Sequence, residues 1–591
     1  MCGIVGYIGY REASKVIHEC LKNLEYRGYD SWGIATISNK NEINLIKEVG
    51  MIGDIKEVKL LGSLGIGHTR WATHGGVEKK NAHPHLDCKK SIALVHNGII
   101  SNFEELRKKL EKNHAFTSDT DTECIVHLIE EIKDNDSSLE NAVRKALSKV
   151  KGTYALAIIS NKEPDKIICA RNESPLILGI GKNEMFIGSD IASFLKFTKK
   201  ALPLDDGEYA IVTSNGYVVK EIATGKEVKK EPIIVEWSLE VAEKQGYPHF
   251  MLKEIYEEPQ AITQALNVYP EDIKKLAEMI KNANTVYLTG AGTSLHACMI
   301  AEYWFAKLCN KLVIAIDSSE LIEKGVVDEK TLVVGVTQSG ETYDTLLAMR
   351  QAKRKGAKVA SIVNVIGSTA TRIAEHVILQ ASGIEIAVCA TKTFVSQLVI
   401  LLRVAIELAK MQGNKTEEIE KELYLLPEYI KEVLKLDSEI KKVAKELKVK
   451  NYLFIGRGIN FPSALEGALK FKEITYLHAE GMSAGLLKHG TISLIDKDMH
   501  TIALIPAEGK NRTRIKSNIQ EVKARNGEVL AFTMGMPLEN CDFNITLPKC
   551  NELLSPLIFA PAYQLLAYHK AVELGRNVDK PRALAKSVTV E

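Results

Sequence analysis

The sequence predicts a layered α+β domain followed by two doubly wound α/β domains. Three observations carry this reading. Residues 1–235 are dense in short apolar runs with few helical stretches, and a polar segment follows at 236–260. Beyond it a strand, glycine turn and helix alternate, and that order recurs about 165 residues later. A chain of 591 residues is also too long for one core, so several domains are expected.

In the first part the runs GIVGYIG, GIATIS, SIALVHNGII, YALAIIS, IICAR, MFIGSD and YAIVTS read as strands. Helices are predicted near 102–113 and near 121–134, and many strands with two helices suggest layers of sheet and helix. The segment WSLEVAEKQGYPHFMLKEIYEEPQ lacks strand alternation, so a linker is placed over 236–270.

NTVYLTGAG then reads as a strand entering a glycine turn, SLHACMIAEYWFAKL as a helix, TLVVGVTQSG as a strand, ETYDTLLAMRQAKRKG as a helix and KVASIVNV as a strand. The same order returns in NYLFIGRGIN, FPSALEGALKFKEIT, MHTIALIP, IKSNIQEVKARNG and EVLAFTM. This predicts a duplicated unit with parallel sheets, over 271–410 and 411–575, with a tail over 576–591.

Composition excludes several classes. A net charge of +2 offers no electrostatic case for nucleic acid or an anionic membrane. No basic, apolar leader is visible, and the most apolar stretch, QLVILLRVAIELA, is interrupted by Arg403 and too short to span a bilayer. The ten cysteines include no CxxC pair and no His/Cys cluster at zinc spacing, which predicts a reducing, cytoplasmic setting without a structural metal. His83-Pro84-His85 is the nearest thing to a ligand pair, and a loop histidine pair is more often structural.

The chemistry-bearing motifs begin at the terminus. Cys2 stands directly behind Met1 and before the strand-like run 4–9, a position that reads equally as a small buried thiol. If Met1 is removed, however, the Cys2 thiol gains its own α-amine as a base. GHTRWATHGG groups Arg70, Trp71, Thr73 and His74, and an arginine is a natural fork for an α-carboxylate. HNGIISN ends a strand with Asn97 and Gly98, whose side-chain amide and backbone N–H suit an oxyanion. Asp121, in SDTDTE, is a helix cap or a partner for a substrate ammonium.

In the second part, GAGTS with Ser294 and TQSGET with Thr337, Gln338, Ser339 and Thr342 each join a strand to a helix. Hydroxyls and amides there can cradle a phosphate at the carboxyl ends of parallel strands. Neither motif is a nucleotide loop, so a sugar phosphate is the better fit. Glu466, Lys470 and Glu473 recur at helical spacing, with His478 and His489 close behind, a mixture suited to acid–base chemistry on a sugar. Lys586 lies among small and β-branched residues that suggest a docked tail.

CGIVGY, RWATHG, HNGIISN and DTDTE together resemble the class II, N-terminal-nucleophile (Ntn) glutamine amidotransferases. That resemblance implies an α+β Ntn hydrolase domain with Cys2 as nucleophile. It also implies that Arg70, Thr73, His74 and Asp121 hold glutamine and that Asn97 and Gly98 form the oxyanion hole. The later motifs, with PHFMLKEIYEEP and AKSVTVE, resemble the isomerising glutamine–fructose-6-phosphate aminotransferases, which have two sugar isomerase (SIS) domains. Their reaction converts D-fructose 6-phosphate and L-glutamine to D-glucosamine 6-phosphate and L-glutamate without metal or organic cofactor. The resemblance implies sugar-phosphate binding by Ser294, Thr337, Gln338, Ser339 and Thr342. It assigns proton transfer to Glu473, ring opening to His489 and the sugar carbonyl to Lys586. It also implies a homodimer in which His489 reaches the neighbouring subunit's site. Because ammonia must pass from Cys2 to the sugar unprotonated, Trp71 is the expected gate.

The chain departs from that family's pattern in carrying Thr337 and Ala390 for serines and Leu486 for a glutamate. Two alternatives remain at this level. One is another Ntn amidotransferase, although the second part lacks a diphosphate loop and an SGGxDS-type ATP loop. The other is a sugar-phosphate-sensing SIS regulator, against which stands the complete glutaminase set.

Overall fold

The computed structural model describes residues 2–25, 28–71, 75–133, 138–235 and 244–589. They fall into two compact units, Met1–Val241 with Ser587–Glu591 and Ala242–Lys586.

The first unit stacks two antiparallel sheets. An eight-stranded sheet has the terminal strand Gly3–Ile8 in its interior, between Leu64–Arg70 and Met185–Gly188. A six-stranded sheet carries Ile92–Ile100 beside Gly152–Ser160. Ile4, Ile66, Val95, Ala157 and Cys169 pack in one core shared by strands of both sheets. Leu94, Leu156 and Ile158 meet the helices Phe103–Leu110, Thr122–Lys133 and Leu139–Leu147 in a second core. These runs are therefore covered on both faces, which is why they read as continuous apolar stretches rather than alternating ones.

Both predicted helices form, and two more accompany them among the described residues. Ala13–Leu24 buries Val16, Ile17, Cys20, Leu21 and Leu24 at helical period, and Leu139–Leu147 buries Leu139, Ala142, Val143 and Ala146. In sequence, their short stripes are hard to tell from the neighbouring strand runs.

The second unit contains two five-stranded parallel sheets of identical order. In the first, Ile314–Asp317 lies at one edge, followed by Thr285–Gly290, Thr331–Thr337, Lys358–Val363 and His376–Leu379. In the second the order is His478–Ser483, Asn451–Gly456, Met499–Ile505, Glu528–Met534 and Phe543–Leu547. Each sheet thus has a switch point between its first and third strands in chain order, where ligands bind in such folds. One hydrophobic core, from Met251 to Val578, runs through both halves.

The linker expectation is corrected by this core. Residues 236–243 lie outside the described residues, but 250–266 form the helices Phe250–Tyr256 and Glu258–Leu266. Their charged composition disguised them, yet Lys253, Glu254 and Glu258 are themselves buried, beside Met251, Ile255 and Ile262. Residues 417–446 likewise form two helices, which precede the second parallel sheet. The apolar stretch around Arg403 is the buried helix Lys392–Met411, and the Arg403 guanidinium donates to the carbonyls of Ala265 and Val268 near the end of Glu258–Leu266. Among the described residues, no helix is long and apolar enough to cross a membrane.

Candidate active site

In the first unit, the pairing of Gly3–Ile8 inside a sheet fixes Cys2 against the end of Leu64–Arg70. The Trp71 amide donates to Cys2 Sγ at 3.3 Å. Asn97 Nδ2 donates to the Cys2 carbonyl at 3.0 Å and to Ser189 Oγ at 2.8 Å. Asn97 Oδ1 lies 3.0 Å from His68 Nε2, which also faces the His96 carbonyl at 3.0 Å. Both partners are acceptors, so the proton resides on Nε2. Burial pushes the His68 pKa down to about 3, which keeps the ring neutral and the Asn97 amide oriented.

Gly98 adopts φ +132°, and a Cβ there would lie 2.0 Å from the Thr153 carbonyl oxygen. Only glycine fits at this point of the strand. Asp121 accepts the Ile100 amide at 2.8 Å. The buried Arg70 fork donates to the carbonyls of Gly75 and Gly76 at 3.0 and 3.1 Å. Thr73 and His74, which precede these glycines in sequence, lie outside the described residues. Trp71 sets its ring edge-on to Tyr29, with centroids 5.4 Å apart.

Sequence reasoning missed the support behind this terminus: Ser189, His68 and His96. His83 and His85 are buried with them, and the His96 amide donates to His83 Nδ1, which fits the structural reading of that pair.

In the second unit, helix Asn460–Thr475 presents Glu466 and Lys470 toward the first turn of Thr293–Cys309, with Glu473 beside Lys470 and Cys389. Lys470 Nζ lies 2.8 Å from Glu473 Oε2 and 3.4 Å from Glu466 Oε1, and it donates to Thr293 Oγ1 at 2.9 Å. His296 Nδ1 lies 2.7 Å from Glu466 Oε2. Burial opposes the Lys470 charge, but the two carboxylates outweigh it and hold its pKa well above the usual value. Burial likewise opposes the Glu466 charge, while Lys470 and His296 keep its carboxyl below the usual range. The Cys389 thiol donates to Glu473 Oε2 at 2.9 Å; burial and that carboxylate push its pKa well up.

The two hydroxyl loops sit at the carboxyl ends of adjacent strands of the first parallel sheet. Ser294 accepts from Gln397 Nε2 at 3.1 Å. Thr337 Oγ1 lies 3.3 Å from Thr342 Oγ1 and accepts the Gly340 amide, and Ser339 Oγ accepts the Glu341 amide at 3.1 Å. Gln338 lends its carbonyl to the Asn364 amide. Thr337 keeps a hydroxyl at its position, and Ala390 sits half-buried beside Cys389.

The tail docks. Asp579 accepts the amides of Phe250 and Met251, its carbonyl accepts Val388, and Arg582 stacks on Tyr476. Lys586 then pairs with the fully buried Glu385, which also accepts the amides of Thr391 and Thr393. Glu385 was not foreseen, because it hides in the mixed run ASGIEIAVCATKT. His489 is not brought to this network: its ring is exposed and hydrogen-bonds nothing among the described residues. Leu486, nearby, is also exposed.

Residues 68–196 match the glutamine amidotransferase domain family, and residues 279–407 and 447–574 match the SIS domain family. A protein from Methanococcus maripaludis named glutamine–fructose-6-phosphate aminotransferase (isomerizing) is 54% identical over 605 residues, covering 100% of both chains. One of the same name from Thermococcus kodakarensis is 50% identical, again over 100% of both. The solved C-terminal domain of glucosamine-fructose-6-phosphate aminotransferase from Francisella tularensis covers 57% of this chain and 99% of its own, at 34% identity and a TM-score of 0.54. With full-length relatives this similar, the chain belongs to the isomerising glutamine–fructose-6-phosphate aminotransferase family.

Proposed function

We propose that this enzyme converts D-fructose 6-phosphate and L-glutamine to D-glucosamine 6-phosphate and L-glutamate, with the roles divided between its two units. Cys2, exposed as the terminal residue by removal of Met1, attacks the glutamine side-chain amide and uses its own α-amine as base. Ammonia leaves and water then releases glutamate from the thioester. Arg70, Thr73 and His74 hold the α-carboxylate end of glutamine, and Asp121 its ammonium. The Gly98 amide and Asn97 Nδ2 receive the oxyanion, Asn97 giving up its bond to Ser189.

In the second unit, Ser294, Thr337, Gln338, Ser339 and Thr342 bind the phosphorylated sugar. His489, supplied by the second subunit of a homodimer, opens the ring, a role supported by its exposed and unengaged imidazole. The Lys586 amine attacks the C2 carbonyl and forms an imine with loss of water, and ammonia then displaces the lysine amine to leave the free imine at C2. Glu473 then takes a proton from C1 and delivers it to C2 while the C1 hydroxyl proton passes to the imine nitrogen, which leaves an aldehyde at C1 and an amine at C2. The buried Glu466–Lys470 pair, set against the helix that opens with Thr293 and Ser294 and joined by the part-exposed Glu473, is the observation that carries this reading. Ten free cysteines support a cytoplasmic setting.

Product analysis with glutamine and fructose 6-phosphate is the test. Formation of glucosamine 6-phosphate with equimolar glutamate supports the proposal. Glutamine hydrolysis without an amino sugar, at saturating sugar phosphate, would overturn it.

A further inference from the structure

Four donor atoms from three segments of the first unit converge beside its helix layer, away from Cys2 in sequence and in role. Cys88 lies in the turn between His85–Leu86 and Ile92–Ile100, His114 follows helix Phe103–Leu110, and His127 and Glu130 sit one turn apart on helix Thr122–Lys133. Cys88 Sγ lies 3.7 Å from both His114 Nδ1 and His127 Nδ1. Glu130 Oε2 lies 3.0 Å from His114 Nδ1 and 3.1 Å from His127 Nδ1. All four atoms are within 4.8 Å of one another.

Tetrahedral zinc, with bonds of about 2.3 Å to sulfur and about 2.0–2.1 Å to nitrogen or oxygen, needs edges of about 3.6 Å (S···N) and about 3.3 Å (N···O). The four Cys88–histidine and Glu130–histidine edges lie within a few tenths of an ångström of these, and the remaining two are within 4.8 Å.

We propose that Cys88, His114, His127 and Glu130 form a structural zinc site. A thiolate, two imidazoles and one carboxylate are a donor set for Zn²⁺ rather than for the hard cations Mg²⁺ or Ca²⁺. The two histidines are also backed as metal ligands usually are: His127 Nε2 is 3.7 Å from Glu123 Oε1, and His114 Nε2 is 3.7 Å from Glu131 Oε2. His127 Nε2 is buried without a hydrogen-bond partner. Coordination through Nδ1 places the ring proton on Nε2, on the side of the Glu123 carboxylate. The Cys88 thiol gives up its proton to solvent on binding, and its exposure provides the entry path.

With four protein ligands the site is closed, so its role is structural. It ties the 86–91 turn and the segment around His114 to the helix that begins directly after Asp121. The sequence spacing concealed it: positions 88, 114, 127 and 130 match no zinc-binding pattern.

The test uses the full-length chain titrated with Co²⁺ and then Zn²⁺. The expected result is a thiolate-to-cobalt charge-transfer band with intense tetrahedral visible bands, saturating at one ion per chain and displaced by Zn²⁺. Cys88→Ser should abolish the charge-transfer band and weaken zinc binding at least tenfold, His114→Ala should weaken it similarly, and Cys2→Ala should leave both intact. Zinc should raise the melting temperature of the parent chain but not of Cys88→Ser. A cobalt complex without tetrahedral bands, or a charge-transfer band that survives Cys88→Ser, would overturn the proposal.

Discussion

Lys586 forms an ion pair with Glu385, and both side chains are almost wholly buried. The lysine assigned to the sugar carbonyl is therefore held by the carboxylate that also anchors the Thr391 and Thr393 amides. Burial opposes the Glu385 charge, but Lys586 and those amides keep its carboxyl below the usual range.

Lys586→Arg should keep the ion pair but remove the attacking amine, because a guanidinium stays protonated. Glucosamine 6-phosphate formation should fall by at least roughly 10²-fold while glutamine hydrolysis persists. Glu385→Gln should cost about 3–5 kcal/mol in denaturant melts, since it strands a buried ammonium. A carboxylate with a depressed folded pKa stabilises above its unfolded pKa of about 4.3, so the contribution of this pair should be full at neutral pH and lost as the solution is acidified below about 4. Near-normal synthesis by Lys586→Arg would reduce Lys586 to an anchor for the tail.

Cys2→Ala should eliminate glutamine-dependent synthesis while fructose 6-phosphate binding, followed by calorimetry, stays within about twofold, because the nucleophile and the sugar loops lie in separate units. Intact mass of the active protein should show Met1 removed. Persistent hydrolysis in the Cys2→Ala variant would exclude Cys2 as nucleophile.

Trp71→Ala should leave hydrolysis within about tenfold but lower the amino sugar formed per glutamine consumed. The Trp71 amide holds Cys2 Sγ through the backbone, which the substitution preserves, whereas the ring packed on Tyr29 is lost. An unchanged product ratio would rule out the ring as a gate.

The neutral imidazoles behind Asn97 predict acid lability of the first unit. Burial lowers the His68 pKa to about 3 and pushes His83 well below its usual value. Unfolded histidines bind protons below about 6.5, so between that value and about 3 the unfolded state holds more protons. Stability should therefore be full above pH ~6.5 and decline on acidification, by up to ~1.4 kcal/mol per pH unit for each such histidine. Melts of the parent chain and of His68→Asn across pH 4–8 test this: the variant should show a shallower acid slope, and an equal slope would count against the assignment.

Much of the molecule was legible before folding. Continuous runs such as TLVVGVT and SIALVHNGII identify strands covered on both faces, and the repeated strand–glycine turn–helix order identifies the duplicated parallel sheets. The motifs around Cys2, Arg70, Asn97 and Asp121 were visible because catalytic residue types cluster in short loops at strand ends. The helices at 250–266 were not visible, because their charged residues face inward and are satisfied by partners far along the chain: Glu254 accepts the amides of Ile386 and Ala387.

Local spacing by itself determined the strands and most helices, since hydrophobic period is a property of neighbouring residues, and the short motifs around Cys2, Arg70, Asn97 and Asp121 carried the resemblance to the family. Tertiary structure alone decided which carboxylate holds Lys586, which imidazole steadies Asn97, and that Cys88 meets His114, His127 and Glu130. These are encounters between segments tens to hundreds of residues apart, and sheet register and helix packing set them, for which no local pattern encodes the distance.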